Sequence, residues 1–122
     1  MSLRVLAVDD SLTMREMLRA ALTGAGFDVT LAEDGLDALD RLAEAAPDLI
    51  VTDLNMPRMD GFGFIEAVRG GDTAARVPIL ILTTETGQKL KDRARAIGAT
   101  GWISKPFDEV SLVATINRVA AV

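Results

Sequence analysis

Arg4-Val5-Leu6-Ala7-Val8-Asp9-Asp10 is an apolar run of strand length that ends in two adjacent carboxylates. A short apolar run of this kind reads as a buried β-strand. After it, Met14, Met17, Leu18, Ala21, Leu22 and Ala25 keep the three-and-four spacing of an amphipathic helix. A buried strand should run out into neutral turn residues, because burying charge is costly unless it is paired or bound to metal. The same departure recurs where Thr52-Asp53 follows Leu49-Ile50-Val51, and where Ser104-Lys105-Pro106 follows Gly101-Trp102-Ile103. Three such strand ends suggest one shared site. Its carboxylates would repel one another, a divalent cation would relieve that repulsion, and a lysine would add positive charge. Such a pocket is suited to accepting and holding a phosphoryl group.

Working outward, strand and helix patterns alternate. The expected strands are Arg4 to Val8, Phe27 to Leu31, Asp48 to Thr52, Pro78 to Leu82 and Gly101 to Ser104. Gly24 and Gly26 close the first helix. Ala38, Leu39, Leu42 and Ala46 mark the second, ended by Pro47. The third runs from about Phe62 to Arg69 after the turn-rich Met56-Pro57-Arg58-Met59-Asp60-Gly61. Leu90, Ala94 and Ile97 give the stripe of the fourth, and Leu112, Val113, Ile116, Val119 and Ala120 that of the fifth. Five βα units predict an α/β fold, a doubly wound parallel sheet with helices on both faces. In such sheets the site lies beyond the carboxyl ends of the strands. Asp9, Asp10, Asp53, Thr83 and Lys105 all fall there.

The composition narrows the chemistry. At 122 residues, 49% hydrophobic and 25% charged, the chain reads as one soluble globular domain spanning 1–122. No apolar run approaches the ~20 residues of a membrane span, and Met1-Ser2-Leu3-Arg4 lacks a secretory leader, so a cytoplasmic location is expected. With no cysteine there is no disulfide, thiolate or zinc–cysteine cluster. With no histidine there is no imidazole base and no phosphohistidine. Any phosphoryl group must come from another molecule. A net charge of −5 argues against nucleic acid as the partner.

Each candidate has a plainer reading. Asp9 and Asp10 could cap the first helix, although capping needs one residue and Ser11 could serve. Asp53 could be an ordinary loop residue, but beside Asp9 and Asp10 it reads as a covalent phosphoryl acceptor next to a hard cation. Thr83 and Thr84 could be a strand end and a helix cap; in this context one hydroxyl would face the pocket. Lys105 opposite three aspartates reads as a buried-tip ion pair. Trp102, the only tryptophan, reads as core. Lys89, Lys91, Arg93 and Arg95 read as a solvated helix face, with a docking surface as the alternative.

With these residues in this order and spacing, the whole chain resembles the receiver domains of bacterial two-component response regulators. Within them it looks most like the single-domain, CheY-like chemotaxis regulators. The resemblance implies a flavodoxin-like strand order of 2-1-3-4-5. It implies that Asp53 is the phosphoacceptor. Asp10, Asp53, Asp9 (partly through water) and the Asn55 backbone carbonyl would hold Mg2+. Thr83 would be the switch hydroxyl, Lys105 the phosphate-contacting lysine, and Trp102 the aromatic switch residue where relatives have Tyr or Phe. Asn55 and Glu85 would tune the phosphoryl lifetime, and Lys105–Pro106 would be a cis peptide. The implied phosphodonor is a CheA-like histidine kinase, and the implied target a protein such as the flagellar motor switch. Because no output domain follows the fifth helix, output by a monomer binding another protein is expected. A phosphate sink or relay role is the alternative.

Other functions fit the residues less well. A phosphatase resembling the haloacid dehalogenase class needs a second Asp two residues beyond the nucleophile, where this chain has Asn55, and carries its acidic pair last. A flavodoxin-like flavin binder needs a phosphate cradle in the first loop, where Asp9 and Asp10 would repel phosphate. A module of the same fold without chemistry has no need of unpaired buried charge. The chain is thus expected to catalyse only its own phosphorylation and dephosphorylation.

Overall fold

The computed structural model describes residues 2–85 and 87–120; Met1, Thr86, Ala121 and Val122 lie outside the described residues. Five strands and five helices alternate: β1 (Arg4–Val8), α1 (Leu12–Gly24), β2 (Asp28–Ala32), α2 (Gly35–Ala45), β3 (Leu49–Asp53), α3 (Gly61–Gly70), β4 (Ile79–Thr83), α4 (Gln88–Ala96), β5 (Gly101–Ser104) and α5 (Glu109–Ala120). All the strands are parallel and ordered β2-β1-β3-β4-β5, the expected fold.

Alternation along the strands sorts the core into two layers. Leu6, Val8, Ile50, Ile79 and Ile81 pack with α2, α3 and Ala94 of α4. Val5, Ala7, Leu49, Val51, Leu80 and Leu82 pack with Leu18 and Leu22 of α1 and Leu112 and Ile116 of α5. Each fully buried Val, Leu or Ile among these contributes about 1.5–3 kcal/mol. Every residue of β3 and β4 is buried, as central strands covered on both faces require.

Strands β2, β3 and β4 each start and end one residue later than the sequence pattern suggests. Parallel pairing fixes these limits. Val8 aligns with Ala32 and with Thr52, Asp53 with Leu82, and Thr83 with Ser104. Pro78 has no N–H to give a ladder. Asp53 and Thr83 therefore end strands and do not begin loops.

The helix ends follow local chemistry. Ser11 accepts from Met14 N–H at 3.2 Å, Asp34 from Asp37 N–H at 2.8 Å, Asp60 from Gly63 N–H at 2.8 Å, and Asp108 from Ser111 N–H at 2.9 Å. Each such cap contributes about 1 kcal/mol. Ser11 caps α1, so Asp9 and Asp10 are left for other work. At the opposite end of the sheet, Arg69 of α3 donates to the carbonyls of Gly98, Ala75 and Val77. It ties together the turns that feed β4 and β5. The Lys105–Pro106 peptide is cis.

Candidate functional site

The strand register builds the site. Val8 and Thr52 are paired, so the next residues, Asp9 and Asp53, emerge level on neighbouring strands. Both continue the parity of Val5, Ala7, Leu49 and Val51 and point to the α1/α5 layer. Lys105 continues the parity of Ile103 and points the same way. Asp10 follows on the exposed shoulder. Carboxylate oxygens of Asp9, Asp10 and Asp53 lie within 4.8 Å of one another.

Lys105 closes this cluster. Its Nζ lies 3.0 Å from Asp9 Oδ2 and 3.3 Å from Asp53 Oδ1, with the lysine side chain 15% exposed. The buried-tip ion pair anticipated for Lys105 is thus formed. Burial pulls the ammonium pKa down, but the hydrogen bond to Asp9 and the charges of Asp53 and Asp9 outweigh it, leaving Lys105 above its ordinary value. Asp53 is also raised. Burial is the main cause and the Asp9 charge adds to it, against the lowering effects of Lys105 and the Leu54 N–H. One lysine shared by two carboxylates, with a third alongside, leaves the cluster short of positive charge.

Backbone groups fix the orientations. Asp9 Oδ1 accepts from Ser11 N–H at 2.9 Å, and the Asp9 carbonyl accepts from Arg15 Nη1 at 2.8 Å. Asp53 Oδ1 accepts from Leu54 N–H at 2.8 Å. Among the described residues no hydrogen bond occupies Asp53 Oδ2. The Asp53 carbonyl accepts from Thr52 Oγ1 at 2.9 Å, and Gly61 lies against it so closely that a Cβ there would come within 2.3 Å of the carbonyl oxygen.

The oxygen set fits a small hard cation. Ligands about 2.1 Å from Mg2+ lie at most about 4.2 Å apart, a span close to the 4.8 Å within which these three carboxylate oxygens fall. The donors are oxygens only, and their unbalanced charge is what a divalent ion relieves.

Thr83 and Trp102 sit on the other layer. Thr83 is buried at the tip of β4, and its Oγ1 accepts from Glu85 N–H at 3.0 Å, which leaves the hydroxyl proton to be donated elsewhere. A cavity of about 10 Å3 lies between Thr83, Leu54, Ile81, Leu90 and Trp102. Trp102 is half-buried and packs on the core, with Lys91 Nζ 4.9 Å and the Arg95 guanidinium 5.4 Å from its ring centre. Arg93 stacks 3.9 Å over Phe62. Three of the four α4 cations, Lys91, Arg93 and Arg95, are therefore engaged with aromatic faces, and only Lys89 keeps to the solvated face that the sequence suggests. Asn55 and Glu85 are exposed beside the site. Sequence reasoning missed Arg15, whose side chain returns to the strand end, and the contact of Gly61 with Asp53.

The family model of the response regulator receiver domain matches residues 5–117. The chain belongs to this family. The receiver is 38% identical over 118 residues to the probable chemotaxis protein CheY of Rhizobium etli, covering 96% of this chain and 92% of that protein. It is 40% identical over 119 residues to the response regulator MprA of Mycobacterium tuberculosis, covering 98% of this chain but only 51% of that relative's length. Among solved structures, the chemotaxis protein CheY4 of Vibrio cholerae superposes with a TM-score of 0.94 at 45% identity, covering 98% of this chain and 99% of that one. The receiver domain of the sensor histidine kinase PA1611 from Pseudomonas aeruginosa, described with a magnesium ion coordinated in its active-site cleft, gives 0.91 at 26% identity over the whole of both chains. Among the described residues no helix of the receiver is long and apolar enough to cross a membrane.

Proposed function

We propose that residues 1–122 form one receiver domain that takes a phosphoryl group from a histidine kinase onto Asp53, with Mg2+ bound, and thereby changes what it binds. The observation that carries this reading is the convergence of Asp9, Asp10, Asp53 and Lys105 at one end of the sheet. Asp10, Asp53, Asp9 and the Asn55 carbonyl are the residues that would hold the metal. When bound, it supplies the positive charge that the carboxylates lack and offsets the charge of the incoming phosphoryl oxygens.

The protein groups then divide the work. Leu54 N–H and Lys105 hold Asp53 Oδ1 and leave Oδ2 to attack phosphorus. The new P–O bond forms as the P–N bond of the donor phosphohistidine breaks, and the imidazole leaves. Lys105 Nζ stays beside the acceptor oxygen to balance phosphoryl charge. The Thr83 hydroxyl donates to a phosphoryl oxygen, and Trp102, across the small cavity, follows it. Asn55 and Glu85 flank the site where they would influence the approach of hydrolytic water.

The likeness to CheY proteins supports a chemotaxis role. Within that role we infer a CheA-like kinase as donor and a protein target such as the flagellar motor switch, with the receiver acting in the cytoplasm as a monomer. The chain is a phosphoacceptor that catalyses its own phosphorylation and dephosphorylation and nothing else. Treatment with acetyl phosphate and magnesium followed by mass mapping should place the label on Asp53 alone. Equal labelling of Asp53→Ala protein would refute the assignment.

A further inference from the structure

The loop of residues 54–60 leaves the end of β3, passes the site and carries Asn55. Its inner end is closed where Gly61 N–H donates to the Leu54 carbonyl at 2.8 Å. Its outer end is fastened to the start of α2. Arg58 Nε donates to Asp34 Oδ2 at 2.7 Å, and Arg58 Nη2 to Asp34 Oδ1 at 2.9 Å. The Met59 carbonyl accepts from Gly35 N–H at 3.2 Å. The approach is close: a Cβ on Gly35 would lie 2.8 Å from that carbonyl oxygen.

Capping α2 does not explain this pair. Asp34 caps the helix with Oδ1 alone, accepting from Asp37 N–H, and Asn or Ser would cap as well. Yet Asp34 is only 3% exposed and carries a charge gripped by both oxygens. Arg58 meanwhile holds φ at +65°, the left-handed region that a side chain with a Cβ adopts at a cost. Strain of this kind persists only where the surroundings over-determine it, and it gathers at functional sites. The planar guanidinium fork on a buried carboxylate supplies that constraint and fixes direction as well as distance.

We propose that the Asp34–Arg58 pair is a positioning latch for the metal-binding loop. With the loop pinned at 54 and 61 on one side and at 58 and 59 on the other, the segment of residues 55–57 between the pins has little freedom, and the Asn55 carbonyl is held ready for the cation. The inference rests on the reading of the site given above. The latch touches none of the proposed ligands, so its loss acts through loop order and not through charge at the site.

Titration calorimetry with Mg2+ and amide hydrogen exchange of the metal-free protein test it together. Arg58→Ala, Arg58→Gly and Asp34→Asn should each bind Mg2+ three- to tenfold more weakly, with faster exchange at residues 55–57. Arg58→Gly is the decisive variant, since relief of the positive φ offsets part of the loss of the ion pair, and a urea melt shows that the fold is kept. Arg58→Lys, with one ammonium in place of the fork, should recover only part of the affinity. If the wild type binds Mg2+ and Arg58→Gly and Asp34→Asn match it in affinity and exchange, the latch is wrong and the site reading stands. If the wild type binds no Mg2+, both fall.

Discussion

Gly61→Ala tests whether the acceptor strand and α3 are in contact as tightly as the geometry says. The added Cβ would lie 2.3 Å from the Asp53 carbonyl oxygen, 2.8 Å from Leu54 Cα and 3.2 Å from the Asp53 carbonyl carbon. Ordinary contacts are about 3.5 Å. All three neighbours are backbone, so no side chain can swing aside, and the start of α3 must retreat by roughly 1 Å. Overpacking of this kind costs about 1–3 kcal/mol. Alanine's helix propensity offsets at most about 1 kcal/mol, and less at the first helical residue. A net loss near 2 kcal/mol remains, which lowers the urea midpoint by about 1 M at a typical slope. The carbonyl that must move belongs to Asp53, so the carboxylate moves with it. Misplacing a reacting group by about 1 Å can cost ~100-fold in rate. Phosphorylation by acetyl phosphate should therefore slow by one to two orders of magnitude. Gly70→Ala is the control, because nothing lies within 4 Å of its Cβ in the same helix. It should unfold at or slightly above the wild-type midpoint. A Gly61→Ala protein with wild-type midpoint and labelling rate would refute the contact and the reasoning from it.

Two further outcomes are expected. Asp53 has a raised pKa in the folded protein, chiefly through burial, so its ionised form is destabilising above that pKa and the penalty vanishes as pH falls below the ordinary carboxyl range. Metal-free Asp53→Asn should accordingly be more stable than wild type at neutral pH, with the gap closing in urea titrations toward acid; a gap that widens on acidification contradicts the assignment of cause. Beryllofluoride with magnesium, an acyl-phosphate mimic, should change Trp102 emission, since the indole lines the Thr83 cavity and lies close to the cations of Lys91 and Arg95. The change should be lost in Asp53→Ala and much reduced in Thr83→Ala. If wild-type emission does not respond, Thr83 and Trp102 are not coupled.

The order of elements was legible because apolar runs and helical stripes alternate without interruption. The candidate site was legible because charge at a strand end contradicts the cost of burial, as at Asp9, Asp53 and Lys105. Strand limits slipped by one residue at Phe27, Asp48 and Pro78, since a ladder's ends depend on the neighbour and no local pattern encodes that neighbour. The same reason hid Arg58: its left-handed backbone and its grip on Asp34 span 24 residues. Trp102 read as core because apolar character is visible in sequence, while the placement of Lys91 and Arg95 over its ring is not.

Arg69 has a consequence for how the molecule responds to its solvent. Its guanidinium is held by carbonyls of Gly98, Ala75 and Val77, and among the described residues no carboxylate pairs with it. Added electrolyte screens the attraction between opposite charges, whereas a half-buried cation bound to fixed dipoles has no such partner to lose. Added electrolyte thus screens an exposed pair such as Arg41–Asp37 more than it weakens the Arg69 anchor. The turns that feed β4 and β5 are fastened by contacts that salt leaves largely intact.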